Sequence, residues 1–211
     1  MNEERSTIFI IDDDPSARKG LMRLVSATGL NVETFSSARD FLDSGKSEEP
    51  GCMVLDVQMP EMTGPELHDK LRQADYCMPI IFLSAHADVP MTAREMKKGA
   101  INFLTKPVDG DDLLKAINES LQLDEENRRK RAEETVILRD VHALSPREHE
   151  VMTYVITGML NKQIAAKLSI SVDTVKSHRG QVTQKLGVFS VAELVRLCEK
   201  AGISPAESND D

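Results

Sequence analysis

The chain of 211 residues carries 26 Lys/Arg against 35 Asp/Glu, a formal charge of -9, and is longer than one domain usually runs, so two domains are expected. No apolar run approaches the roughly 18 residues of a spanning helix, and the start, MNEERST, is charged where a secretory signal turns apolar. A soluble, cytoplasmic protein with no membrane partner is expected. Cys52, Cys77 and Cys198 lack CxxC or HxxxH spacing, which argues for buried thiols rather than a disulfide framework or zinc site.

Five short, mostly apolar runs punctuate the first half: residues 7–11, 31–35, 52–55, 79–83 and 101–104. Near-continuous apolar runs of this length suit strands buried on both faces. Between them, apolar residues recur at helical spacing: Ala17, Leu21, Leu24, Val25; Ala38, Phe41, Leu42; Leu67, Leu71; Met91, Ala93, Met96; Leu113, Leu114, Ile117, Leu121. Such alternation predicts an α/β domain built on a flavodoxin-like, doubly wound, five-stranded parallel sheet.

From Gly110 the helical pattern continues through QLDEENRRKRAEETVILRDV without Gly or Pro until Pro146. Glu125 and Arg129, and Glu126 and Lys130, stand at i,i+4 in the favourable order, so residues 122–140 read as a solvated linker helix. Beyond it, LSPREHEVM begins with an S-x-x-E capping box, Ser145 to Glu148, and a second S-x-x-E, Ser190 to Glu193, opens the last helix. Between these lie NKQIAAKL, a short SIS turn, and VDTVKSHRGQVTQKLG, ending at Gly187 as a helix should. An all-α, four-helix unit with a helix-turn-helix follows, and the tail SPAESNDD is expected to be disordered. The expected division is 1–121, a linker at 122–140, and 141–211.

Charge follows this division. Residues 1–121 hold 13 Lys/Arg against 21 Asp/Glu, whereas residues 144–203 hold 8 against 5, an acidic front and a mildly basic rear suited to separate partners.

Ligands of open parallel sheets bind outside the carboxyl ends of the strands. Those ends here deliver Asp12, Asp13 and Asp14, then Asp56, then Ser84, then Lys106-Pro107. Converging carboxylates repel one another and call for a cation. Mg2+ suits hard oxygen ligands and uses one or two carboxylates beside a phosphate. Asp13 and Asp56 would bind it directly, Asp12 through water, and the backbone carbonyl of Gln58 would add a ligand. An aspartate oxygen can attack a phosphoryl group if the transferring oxygens are neutralised, here by the metal and Lys106 with the Ser84 hydroxyl assisting. The strand makes Asp56 rigid, and the turn from Met59-Pro60 to Gly64 exposes it.

The set DD, LDxxMPxMxG, S-A and KP resembles a response-regulator receiver domain across residues 5–121. The resemblance implies phosphotransfer from a histidine kinase to Asp56, with Asp12 and Asp13 as acidic pair, Ser84 as hydroxyl switch, Phe103 as aromatic switch and Lys106 as the conserved-type lysine. It also implies a cis peptide before Pro107, and a helix 4 and strand 5 face, residues 89–98 and 101–104, remodelled into a homodimer contact. Asp14 is a third acid, read as a helix cap with a peripheral metal role open.

In the rear, Ile164, Ala165, Leu168, Val175, Val182 and Leu186 fall at core spacing. Residues 141–203 resemble a LuxR/FixJ-type DNA-binding domain, which together with the front implies a two-component response regulator of the FixJ/NarL family. By position, Lys176, Ser177 and Gly180 face the groove, and Lys162, Thr174, His178 and Arg179 contact the backbone or support the helix. Gly180 offers no side chain and costs ~1 kcal/mol of helix stability relative to Ala. The expected function is phosphorylation-controlled, sequence-specific binding to double-stranded promoter DNA, with RNA polymerase a further candidate partner. Two other classes compete. Haloacid-dehalogenase-type phosphohydrolases share aspartyl-phosphate chemistry but carry DxD, where this chain reads D-V-Q. A phosphorylation-controlled adaptor would bind protein through the rear helices.

Overall fold

The computed structural model describes residues 6–74, 76–85 and 89–206, except the side chain of Val89. The chain divides into two compact units, residues 1–128 and 129–211. In the first, β1 (Thr7–Ile11), β2 (Asn31–Phe35), β3 (Gly51–Asp56), β4 (Ile80–Ser84) and β5 (Asn102–Thr105) pair in parallel in the order β2-β1-β3-β4-β5. The helices α1 (Pro15–Ser26), α2 (Ala38–Asp43), α3 (Gly64–Gln73), α4 (Val89–Lys97) and α5 (Gly110–His142) alternate with them. β1, β3 and β4 are buried throughout, because apolar side chains of both pleat faces meet helices. Phe9, Met53, Leu55 and Phe82 pack toward Phe41 and Leu67, and Ile8, Ile10, Val54 and Ile81 toward Val25, Leu113 and Ile117.

Caps fix where the helices start. Asp14 is the N-cap of α1, its Oδ1 accepting from the Ser16 N–H at 2.9 Å, so the third acid of the run is a helix cap. Thr63 and Glu66 close a reciprocal capping box on α3. The expected linker span 122–140 lies wholly within α5. An i,i+4 pair there is Asp124–Arg128, at 2.8 Å.

α4 departs from its sequence pattern. Ala93 is exposed and Met96 is 43% exposed, while Glu95 is 1% exposed. The reason lies on α3: His68 Nδ1 stands 2.9 Å from Glu95 Oε2, giving a buried carboxylate the partner it needs. Lys98 then ties Glu95, at 3.1 Å, to Asp69, at 2.7 Å. Cys52 and Cys198 are buried as expected, but Cys77 is exposed because it sits in the turn before β4.

The second unit holds α6 (Pro146–Val155), α7 (Asn161–Leu168), α8 (Val172–Leu186) and α9 (Val191–Lys200). Ile164, Ala165, Leu168, Val175, Val182 and Leu186 are all buried in one core with Val151, Met152 and Leu194. Ser169, left-handed at φ 54, ends α7, and Ser171 caps α8, which makes the turn three residues long. Gly187 ends α8 in the left-handed region. Ser145 and Glu148 form the expected box, but Glu193 reaches past Ser190 to accept from the Phe189 N–H at 2.8 Å. Of the tail, residues 204–206 are placed, the Ala206 N–H donating to the Thr153 carbonyl at 3.2 Å, and residues 207–211 lie outside the described residues. Among the described residues, no helix is long and apolar enough to cross a membrane.

Glu148 also accepts from Lys185 Nζ at 2.7 Å, and that hydrogen bond, with the Ser145 N–H, holds its carboxyl down at about 2. A depressed folded-state pKa contributes stability above the ordinary value of 4.5 and loses it as pH falls toward 2. The melting temperature of the full chain is therefore expected to fall across that window, and Glu148→Gln to flatten this part of the fall in calorimetry. An unchanged pH profile would rule out the contribution.

Candidate phosphoacceptor site and nucleic-acid interface

Parallel register sets the site. Asp56 pairs with Leu83, and Ser84 with Thr105, so the ends of β3, β4 and β5 line up along one rim. The Val57 N–H donates to the Leu83 carbonyl at 2.9 Å, and the Lys106 N–H to the Ser84 carbonyl at 2.7 Å, extending the ladder one residue past each strand. The chain after β3 then doubles back, the Gly64 N–H bonding the Val57 carbonyl at 3.1 Å. A Cβ on Gly64 would lie 2.3 Å from the Asp56 carbonyl oxygen, so only glycine lets the loop return this closely. This explains the glycine that closes the LDxxMPxMxG pattern.

Asp12, Asp13 and Asp56 each offer a carboxylate oxygen within 4.8 Å of the others. Asp12 is fully buried and Asp13 is exposed. Lys106 Nζ lies 2.7 Å from Asp12 Oδ2 and 3.1 Å from Asp56 Oδ1. Asp12 Oδ1 accepts from the Asp14 N–H at 2.9 Å, and Arg18 donates to the Asp12 carbonyl at 2.6 Å, so the acidic turn is held from both sides. Burial raises the Asp56 carboxyl above the ordinary range, and Asp12 adds to this, against the lowering effect of Lys106 and the Gln58 backbone N–H. Burial would lower the Lys106 amine, but hydrogen bonds and charge from Asp12 and Asp56 raise it on balance. A single ammonium is thus shared between two carboxylates.

Charge counting identifies what else fits. Three carboxylates and one ammonium leave two negative charges, and the donors are hard oxygens around an exposed Asp13. A divalent cation balances that remainder, and Mg2+ prefers such ligands while keeping waters. The cluster matches the magnesium site of receiver domains.

Ser84 is 3% exposed at the end of β4. Phe103 is half-buried against the core, its ring 6.0 Å from Phe82, which is itself 5.7 Å from His68. The Lys106-Pro107 peptide is cis. The His68–Glu95–Lys98–Asp69 network beside this aromatic row escaped the sequence reading. Its only trace there is a histidine next to the buried Leu67, a pattern shared with countless solvated histidines.

On the helix-turn-helix, Lys162, Lys176 and Ser177 are exposed. Lys176 pairs with Asp173 at 2.9 Å, a contact open to solvent and worth little. Thr174 is occupied in the cap of α8, its N–H donating to Ser171 Oγ at 3.0 Å. Arg179 donates to Asn161 Oδ1 at 2.5 Å and so bridges α8 to α7. His178 is half-buried, with no partner for Nδ1 among the described residues. A Cβ at Gly180 would meet no protein atom within 4 Å, so nothing inside the fold requires glycine there.

A five-stranded receiver fold with an acidic rim, joined in one chain to a helix-turn-helix bundle, defines a signalling regulator. Residues 8–118 match the family described as response regulator receiver domain, and residues 142–198 match bacterial regulatory proteins, luxR family. Response regulator protein TmoT of Ectopseudomonas mendocina is 42% identical, over 95% of this chain and 91% of its own. Transcriptional regulatory protein FixJ of Bradyrhizobium diazoefficiens is 37% identical, over 93% of this chain and 96% of its own. The solved structure of response regulator StyR aligns at a TM-score of 0.79 and 45% identity, covering 93% of this chain and 99% of that one. The chain belongs to the NarL/FixJ family of two-component response regulators, which are transcription factors rather than enzymes. Family membership brings a cognate histidine kinase and DNA as partners.

Binding of a ligand to the folded chain alone raises its melting temperature. Mg2+ at millimolar concentration is therefore expected to raise the wild-type value, and Asp13→Asn to reduce that rise to the level of a sodium control. An equal rise in both proteins would remove Asp13 from the site.

Proposed function

We propose that Asp56 is the phosphoacceptor, that Asp12, Asp13, Asp56 and the Gln58 carbonyl form the metal site, and that modification of Asp56 promotes dimerisation and DNA binding. The observation that carries this reading is the lysine bridge: Lys106 Nζ touches both Asp12 and Asp56, at the ends of two adjacent buried strands. In this reading residues 1–121 are the receiver, 122–140 the linker and 141–211 the DNA-binding domain.

In the transfer, an Asp56 carboxylate oxygen forms the new P–O bond while the P–N bond of the donor's phosphoimidazole breaks, its electron pair staying on the ring nitrogen. Asp12, Asp13, Asp56 and the Gln58 carbonyl would hold a cation that would supply neutralisation of phosphoryl charge. Lys106 leaves part of its contact with the carboxylates for the phosphoryl group, and the Ser84 hydroxyl donates to one phosphoryl oxygen. Phosphorylation takes Asp56 from one negative charge to roughly two and adds strong acceptors, which draws Ser84 inward. Phe103, on the next strand and only half-buried, turns toward the space released. The α4 and β5 surface then forms the dimer contact, with Met96 and Lys97 exposed on it.

In the second unit, α8 enters the major groove. Lys176 and Ser177 face the bases, Lys162 and Thr174 meet phosphates, and Arg179 and His178 support the helix. Two half-sites suit a dimer, because one small module buries too little surface for tight binding. RNA polymerase is a further proposed partner.

Acetyl phosphate with Mg2+ is expected to raise affinity for promoter DNA and to convert monomer to dimer in sedimentation. Asp56→Ala should abolish both changes while keeping unmodified-state binding. Affinity should fall steeply with salt, since each phosphate contact releases about one counterion. A phosphorylated chain that stays monomeric with and without DNA contradicts the dimer reading, and a flat salt dependence favours an adaptor.

A further inference from the structure

α5 continues far beyond the receiver match, which ends at residue 118, to His142. Between Leu123 and Ile137 it lacks an apolar stripe and residues 129–136 are all exposed, and only beyond them do Ile137 and Val141 pack into a core. Isolated helical turns of this kind are marginal in water unless something nucleates them.

The nucleus is polar and buried. The Asp124 side chain is 6% exposed, and its Oδ2 accepts from the Gly51 N–H at 2.9 Å and from Arg128 Nε at 2.8 Å. Arg128 Nη2 donates onward to the Glu49 carbonyl at 2.5 Å. A carboxylate this deep costs free energy unless donors surround it, so the arrangement is a specific contact rather than a surface pair. Its target is the first residue of β3. Gly51 pairs with Thr7 of β1 at φ 151, and a Cβ there would lie 1.9 Å from the Thr7 carbonyl oxygen, so only glycine fits. Burial, with the Asp124 charge adding to it, pushes the neighbouring Cys52 thiol up to about 12.

β3 begins at Gly51, under this contact, and ends at Asp56. One fully buried strand, roughly 17–20 Å long, joins the pin to the phosphoacceptor. We propose that Asp124 and Arg128 are positioning residues that pin α5 to the strand carrying Asp56, and that through this pin the receiver's phosphorylation state sets the helical order of residues 122–136. The inference rests on the phosphoacceptor reading above. A packed strand moves as a unit, so a displacement at its charged end is delivered to the Gly51 N–H and hence to α5.

The test is hydrogen exchange of the full chain, with and without acetyl phosphate and Mg2+, with intact mass recording the adduct. Arg128 is part-exposed, so Arg128→Gln should fold. It is expected to speed exchange across residues 122–136 by about tenfold or more, through loss of the Arg128 hydrogen bonds to Asp124 and to the Glu49 carbonyl. Phosphorylation should change exchange of that segment in the wild type, change nothing there in Arg128→Gln at equal adduct, and regain part of its effect in Arg128→Lys. Asp124→Asn should repeat the Gln result. Wild-type exchange in Arg128→Gln, a wild-type response in that variant, or a phosphorylated wild type with no response in the segment would each overturn the proposal. Failure of the wild type to accept phosphate would instead overturn the Asp56 reading, leaving the pin to be judged by the exchange rise.

Discussion

One ammonium shared between two buried carboxylates governs the first unit. Lys106 touches Asp12 and Asp56 at once, and it can satisfy neither completely. A rim with two uncompensated negative charges is a poor resting arrangement but a ready receptor for a divalent cation and, through it, for a phosphoryl group. The sheet exists in this form to hold that imbalance. β1, β3 and β4 are buried along their whole length, so the three acidic or hydroxyl-bearing ends cannot drift apart to relieve their repulsion. The Gly64 return and the Arg18 contact with the Asp12 carbonyl fix the two loops that would otherwise relax first.

Much of this was legible in the residues. Continuous apolar runs name buried strands, and parallel topology sends their carboxyl ends to one rim, so the chain itself brings Asp12, Asp13, Asp56, Ser84 and Lys106 together. The rear core was legible for a similar reason, since Ile164, Leu168, Val175 and Val182 repeat at helical spacing. What stayed hidden was polar and non-local. Glu95 is buried because His68 waits for it on another helix, and nothing in the α4 sequence announces that partner. Ala93 and Met96 consequently face out, against the apolar pattern. Asp124 is comparable: its partner is a backbone N–H in a distant loop, which no spacing rule can supply.

The helix-turn-helix shows how few side chains are left for recognition once the fold is satisfied. Thr174 is bonded into the Ser171 cap of α8 and Arg179 bridges to Asn161, so among the candidate contact residues those exposed without such a task are Lys162, Lys176 and Ser177. Gly180 adds an opening in the same helix, which the fold itself does not need. A surface this sparse gains from doubling.

Phosphopeptide mapping by mass spectrometry, after incubation with acetyl phosphate in Mg2+ or in excess chelator, tests the shared-lysine account most directly. The account predicts one phosphoryl group, on the peptide bearing Asp56, formed with Mg2+, lost with chelator and sharply reduced in Lys106→Ala. A phosphoryl group on another residue, or equal labelling of Asp56 without the cation and without the lysine, would contradict it.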